Sequence, residues 1–190
     1  LVKLKNGKFT VPSDGESGIV YRVIGNRTSS VKPAGGNGTS SSPYQIDSLD
    51  DLNLIEENQG AYYQLTSDIQ TQGRINFTIS YFGGTLDGNG HTIYGLKKPL
   101  IAMNQGKIRN LRVAADFDDD MQNVQGVITQ YNEGNIEDCM VTGTISGYMG
   151  GNGVVVYPEF GGIAGENALA GIIFGCTSKL NVNLTMAPMK

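Results

Sequence analysis

Asn104-Gln-Gly106-Lys-Ile108-Arg-Asn110-Leu111 is followed by Asn132-Glu-Gly134-Asn-Ile136-Glu-Asp138-Cys139, and then by Asn167-Ala-Leu-Ala-Gly171-Ile-Ile173-Phe-Gly175-Cys176. The first two copies stay in register from Leu100 to Val113 against Ile128 to Val141, an offset of 28 residues, and the third follows at 35 to 37 after a small insertion. A period of that size marks stacked supersecondary units, each too small to bury its own apolar face.

The flanking sequence is strand and turn. Tyr62-Tyr-Gln-Leu65, Ile69, Ile75-Asn-Phe77-Thr-Ile79, Phe82-Gly-Gly-Thr-Leu86 and His91-Thr-Ile93 are short apolar runs, and Asp87-Gly-Asn-Gly90 supplies residues suited to positive φ in a tight turn. Short strands every eight to twelve residues fit a sandwich, a barrel or a β-solenoid. The repeat selects the solenoid, because stacked coils place equivalent residues in columns about 4.8 Å apart. The expected inward columns are Leu100, Ile128 and Ile163; Ile108, Ile136 and Ile173; and Leu111, Cys139 and Cys176. Gly106, Gly134 and Gly171 mark a corner, with Asn104, Asn132 and Asn167 as a polar ladder beside it.

Such a stack needs caps where its strand edges and core would otherwise meet water. Ser48 is placed to cap a helix over about residues 48–58. Leu49, Leu52 and Ile55 recur there at helical spacing, and Asp50 and Asp51 suit the positive end of the dipole. The fold class is therefore all-β, a right-handed parallel β-helix with one short N-terminal capping helix. Three parts follow: an N-terminal β segment over residues 1–30, a Gly/Ser/Pro linker over 31–43, and the β-helix domain over 44–190.

Composition bounds the function. The 190 residues include 27 glycines and no tryptophan, only 17% are charged, and the net charge is −4. Lys and Arg are scattered, so a nucleic-acid-binding stripe is not expected. No run of about 18 apolar residues is present to span a bilayer as a helix. The chain starts at Leu1 and stops after Met189-Lys190, which reads as a processed or partial protein.

The order Tyr44-Gln-Ile46, Tyr63-Gln-Leu65-Thr-Ser-Asp68-Ile69, Phe82-Gly-Gly-Thr-Leu86-Asp-Gly-Asn-Gly90-His-Thr-Ile93, Ile108-Arg-Asn110-Leu111 and Gly161-Gly-Ile-Ala-Gly165-Glu-Asn167 resembles the GLUG-type β-helical repeat region. That family is found in bacterial surface proteins, in adhesins and in the non-catalytic part of IgA-specific metallopeptidases. The resemblance covers roughly residues 44–182. It departs from the pattern at Pro99-Leu-Ile-Ala102 and Val127-Ile-Thr-Gln130, where the family places Gly-Leu-Phe-Gly. It implies an exported, extracellular or cell-surface module without catalysis, whose partner is a host or matrix protein or a glycan.

Individual residues are weighed against that expectation. His91, the only histidine, starts a strand after a turn and cannot by itself build a zinc site, which takes about four ligands. Asp116, Asp118, Asp119 and Asp120 form an acidic loop with oxygen ligands for calcium, although the spacing is not that of an EF-hand. Glu133 with Asp138, or Asp116 with Asp138, would serve glycoside chemistry only if they converged, which sequence spacing does not reveal. Cys139 and Cys176 fall in adjacent coils within reach of a disulfide, and equally suit small inward hydrophobes. Tyr62, Tyr63, Tyr81, Tyr94, Tyr131, Tyr148 and Tyr157 are divided between packing and partner contact. The insertion Ser146-Gly-Tyr-Met-Gly-Gly-Asn-Gly-Val-Val-Val-Tyr-Pro158 is the longest between coils, and protruding loops of that kind carry binding. The candidate ligand-binding residues are therefore Asp116, Asp118, Asp119, Asp120, Tyr148, Asn152 and Tyr157, with no catalytic residue and no metal ligand assigned. The alternative is an accessory domain of a polysaccharide-processing enzyme or of a larger surface peptidase.

Overall fold

The computed structural model describes residues 33–71, 79–118, 125–149 and 160–186, with the backbone alone at Gln125, Tyr148, Met149, Leu184 and Met186. The chain enters through β1 (Tyr44–Ile46), the helix α1 (Leu49–Asn53), a 3₁₀ turn (Leu54–Glu57), β2 (Tyr62–Leu65) and β3 (Ile69–Gln70). Two coils of three strands follow: β4 (Ile79–Phe82), β5 (Thr85–Asp87) and β6 (Thr92–Leu96), then β7 (Ile101–Asn104), β8 (Lys107–Arg109) and β9 (Arg112–Phe117). The last two coils each add a two-residue strand: β10 (Gln125–Gly126), β11 (Thr129–Asn132), β12 (Asn135–Glu137) and β13 (Met140–Met149), then β14 (Phe160–Gly161), β15 (Ala164–Asn167), β16 (Ile172–Phe174) and β17 (Thr177–Met186).

Each strand pairs in parallel with its counterpart one coil away. The first sheet runs β1-β2-β5-β8-β12-β16, the second β4-β7-β11-β15 and the third β3-β6-β9-β13-β17. The result is a parallel β-solenoid, as the repeat predicts. Ile136 pairs with Ile108 on one side and Ile173 on the other, and the same column continues back through Leu86 and Tyr63 to Tyr44. Ile108 and Ile136 are fully buried, as are Leu100 and Ile128, and Leu111 and Cys139 stack beside them in the core. Ile69, Ile93, Val113 and Val141 form the equivalent column of the third sheet.

The corner between the second and first sheets follows the Asn-x-Gly signature. Phe82, Asn104, Asn132 and Asn167 occupy one register position. The Asn104 amide donates to Asn132 Oδ1 at 2.7 Å, and the Asn132 amide donates to Asn167 Oδ1 at 2.7 Å and to the Gly134 carbonyl at 3.1 Å. Asn104 and Asn132 are fully buried, so these bonds replace the water both amides lose. Two residues on, glycine is required by space. A Cβ at Gly106 would collide with the Gly84 carbonyl oxygen, and one at Gly134 with that of Gly106.

The N-terminal end is closed. Ser48 caps α1, its hydroxyl oxygen accepting from the Asp51 amide at 3.3 Å while donating to Asp51 Oδ2 at 2.7 Å. The expected helix runs as one α-turn and then tightens to 3₁₀ over Leu54–Glu57, with Asn58 as its C-cap. Leu52 and Ile55 are fully buried in the core. Glu56 takes over the outer edge of β4: Ser80 donates its amide to Oε2 at 2.9 Å and its hydroxyl to Oε1 at 2.6 Å. Partial burial pushes the Glu56 carboxyl up, but the Ser80 and Gln59 hydrogen bonds outweigh it and hold the group below its ordinary value. Within the Gly/Ser/Pro stretch, Gly35 bridges antiparallel to Gln45, and the Gly38 carbonyl accepts from the Tyr62 amide at 3.0 Å, so this segment lies along the edge of the first sheet.

At the other end, Ile172, Ile173, Phe174 and Val182 are 53%, 38%, 70% and 46% exposed, whereas Ile136, one coil earlier in the Ile173 column, is fully buried. Among the described residues nothing stacks beyond β16.

Asn132→Ala removes the middle rung of the amide ladder and strands the buried Asn104 donor. It is expected to cost about 2 kcal/mol or more, read as a lower urea midpoint at unchanged slope. A loss below about 0.5 kcal/mol would mean that the ladder is decorative.

Candidate functional site

The acidic loop begins where β9 leaves the third sheet. Asp116 is exposed at the end of that strand, and Lys97 bridges it to Asp118, with Nζ 2.7 Å from Asp116 Oδ2 and 3.0 Å from Asp118 Oδ2. Hydrogen bonds donated to both carboxylates hold the Lys97 ammonium above its ordinary pKa. An internal cation thus supplies the counter-charge that two adjacent acids require. Asp119, Asp120, Asn152 and Tyr157 lie outside the described residues. Tyr148 belongs to β13, paired with Thr185 of β17. Among the described residues, no group of three or more His, Cys, Asp or Glu side chains is arranged to hold a metal ion.

The other groups with potential chemistry are committed to turns and ladders. Asp87 accepts from Arg109 Nε at 2.9 Å, from the Asn110 amide side chain at 3.2 Å and from the Asn89 backbone at 2.9 Å, organising the Asp-Gly-Asn-Gly turn. Glu133 accepts from Gln105 Nε2 at 2.6 Å, and Glu137 pairs with Lys107 at 2.7 Å. Asp138 has φ of +50° and stands in a corner column with Asn110, also at +50°, and Gly175 at +64°. Its place is therefore set by left-handed backbone, which Asn, Asp and Gly tolerate best. Glu133 precedes β12 at one corner and Asp138 follows it at the next, while Asp116 lies at the far end of β9. The coil path holds these carboxylates apart. His91 Nδ1 is 3.4 Å from Asp68 Oδ1, and its backbone amide closes the turn on the Gly88 carbonyl.

Two shallow cavities accompany these corners. One of about 420 Å³ is lined by Asn89, Asn110, Arg112, Asp138, Met140 and Thr177. The other, about 560 Å³, lies at the capped end between Tyr44, Tyr63, Leu54, Glu57 and Asn37. Tyr63 is nearly fully buried and donates to the Asn58 carbonyl at 2.7 Å. Burial, with Tyr44 and Glu57 nearby, pushes its phenol up to about 12.

The cysteines are free thiols. Cys176 Sγ accepts from the Cys139 amide at 3.4 Å, and Cys139 Sγ donates to the Glu137 carbonyl at 3.2 Å. Burial pushes the Cys139 thiol up to about 12, with Cys176 and Asp138 adding to it.

One exposed feature escapes a reading by residue type. In the second sheet Tyr81, Met103, Tyr131 and Glu166 share a single outward register position. Tyr81 and Tyr131 are 38% and 40% exposed. The signal was present, because each of the first three residues immediately precedes the Phe82, Asn104 and Asn132 column. It becomes visible only once that column is in register.

A parallel β-solenoid with polar corner ladders is thus the class that fold and surface define. No protein-family profile matches the chain. Over 164 residues it is 32% identical to Halomucin of Haloquadratum walsbyi, a match that takes in 72% of this chain and 2% of that protein. Among solved structures, it superposes on a candidate immunoglobulin A1 protease from Bacteroides ovatus with a TM-score of 0.55 at 23% identity, covering 75% of this chain and 58% of the other. At that identity the likeness is one of fold.

The raised thiol and phenol fix a pH dependence. A group whose native pKa lies above its unfolded value keeps its proton in the folded state while the unfolded chain releases it, so stability falls as pH rises. The loss begins near 9.0 for Cys139 and near 10.0 for Tyr63, and for each it runs to about 12. Its slope reaches at most about 1.4 kcal/mol per pH unit per group. Urea midpoints at pH 8 to 10 should decline in the native chain and decline less in Cys139→Ala. Identical slopes for the two would contradict the assignment.

Proposed function

We propose that this chain is a non-catalytic module of a secreted or cell-surface protein, a GLUG-type solenoid segment that presents its outer faces and the loops at residues 116–124 and 146–158 to a host protein, matrix protein or glycan. The observation that carries this reading is the commitment of the chemistry-bearing side chains. Asp87, Glu133, Glu137 and Asp138 each hold a coil corner or a cross-coil bond. General acid and base work needs a pair of carboxyls facing one substrate position, and the coil geometry separates the candidates instead. Asp116, Asp118, Asp119 and Asp120, with Tyr148, Asn152 and Tyr157, are the loop residues proposed to meet the partner, and the same four aspartates are the position where calcium would bind.

The alternative, an accessory region of a larger peptidase or polysaccharide-processing enzyme, draws on the solenoid shared with the B. ovatus structure. In both readings this segment positions a partner and transforms nothing.

The test immobilises the 190-residue chain and screens it against matrix proteins and a glycan array, with reducing-end release measured in parallel on acidic polysaccharides. Saturable binding without product is expected. Release of product that disappears in Asp138→Asn would overturn the reading.

A further inference from the structure

From the stacked register of Tyr81, Met103 and Tyr131 on the second sheet, we infer that this face is a binding platform for a neutral, equatorially linked glycan chain such as a β-1,4-linked hexose or N-acetylhexosamine polymer. The inference rests on the proposed binding role and names the ligand and the surface.

The two rings stand two strand spacings apart, about 9.6 Å along the stack at ~4.8 Å per parallel neighbour. That span matches one disaccharide of an extended equatorially linked chain. In such sugars the axial C–H bonds form flat apolar faces, which lie well on aromatic rings, while the hydroxyls project sideways. Met103, between the rings, offers an adaptable thioether contact. A glycan running along the solenoid axis would therefore place alternate residues on successive tyrosines.

Tyr81 is preorganised for this. Its ring lies over Gly83, where a Cβ would come within 2.8 Å of the hydroxyl oxygen. Its hydroxyl donates to Gln105 Oε1 at 2.9 Å, and Gln105 Nε2 in turn donates to Glu133 Oε2 at 2.6 Å. The chain of bonds crosses three coils and fixes the hydroxyl end of the ring before any ligand arrives, which removes part of the ordering cost of binding. Among the described residues, the other exposed tyrosines have no aromatic partner in register. Tyr62 is followed in its column by Thr85, Lys107 and Asn135, and Tyr94 by Ala114, Thr142 and Lys179.

Charge decides the glycan class. No basic side chain lies on β4, β7, β11 or β15. Among the described residues, the carboxylates of Glu56, bound to Ser80, Glu133, bound to Gln105, and Glu166, in the Tyr131 column, lie beside the stripe. Carboxylates and side-chain amides accept hydrogen bonds from sugar hydroxyls, and the same carboxylates repel an anionic polymer.

Titration calorimetry of the full chain with cellohexaose and chitohexaose tests the platform, with maltohexaose and oligogalacturonate as controls. At least one of the first two should bind, the controls much more weakly. Tyr81→Ala or Tyr131→Ala should each weaken binding about tenfold, Tyr131→Phe should retain it, and Tyr81→Phe, which loses only the bond to Gln105, should weaken it less than the alanine change. Both tyrosines are exposed, so far-UV circular dichroism and the urea midpoint should hold in every variant. Binding that survives both alanine changes overturns the platform while leaving a binding module intact. Equal binding of oligogalacturonate, or no binding of either β-linked hexamer, overturns it as well. Hydrolysis of a bound hexamer with the tyrosine dependence kept would support the platform and overturn the non-catalytic reading instead.

Discussion

A buried side-chain amide needs both a donor and an acceptor, and stacking identical corners supplies them without water. The Asn104–Asn132–Asn167 ladder is that condition met coil by coil, Asn104 giving to Asn132 and Asn132 to Asn167, while Asn132 and Asn167 also donate within their own turns and Asn104 accepts from Gly106. The bonds form only if successive coils keep the same register. A slip of one residue would turn every inward side chain outward, and it would also orphan two fully buried amides. Apolar columns alone tolerate some sliding, since burial is not directional. The ladder and the glycine corner make the register specific, and the positions of all outward residues follow from it.

A stack built this way has no natural end. At the N-terminal side the chain solves the problem three times over: Leu52 and Ile55 cover the core, Glu56 answers the free edge of β4, and the Gly35 to Ser42 segment lies along β1. The Glu56 solution places a carboxylate where a strand would supply a carbonyl, and its depressed pKa is the trace of that role. At the C-terminal side the described coil presents Ile173 in the same column as buried Ile136, with exposed Phe174 beside it. Among the described residues the two ends are chemically unlike: one is lined by polar bonds, while the other leaves side chains of the core columns exposed.

Much of this was legible beforehand because periodicity reports stacking directly. The offset of 28 residues between Asn104 and Asn132 is the length of a coil, and the columns Ile108–Ile136–Ile173 and Leu111–Cys139–Cys176 appear as read. The capping helix was also readable, from Ser48 and the spacing of Leu49, Leu52 and Ile55, although its second half tightens to 3₁₀ as Glu56 reaches for β4. The surface was less legible. Tyr81 and Tyr131 looked like two tyrosines among several, since the coils containing them differ in length and the intervening member is a methionine. The role of Lys97 was hidden for a similar reason: its partners lie 19 and 21 residues away, a separation set by the fold rather than by any local motif.

Function in such a molecule is constrained by what repetition does to chemistry. Each corner residue recurs one coil later, so a reactive arrangement would have to break the pattern locally and draw unlike groups together. Here the breaks are acids bridged by Lys97, while the regular positions hold amides, glycines and aliphatics. Repetition instead favours recognition of something that itself repeats, because neighbouring rungs present the same contact at a fixed interval. A face carrying two rings two strand spacings apart, one anchored by a bond to the next coil, suits a polymer better than a single small molecule. The rigid stack behind it spares the ligand the cost of ordering the surface, which is where a module made of short strands and few loops has its advantage.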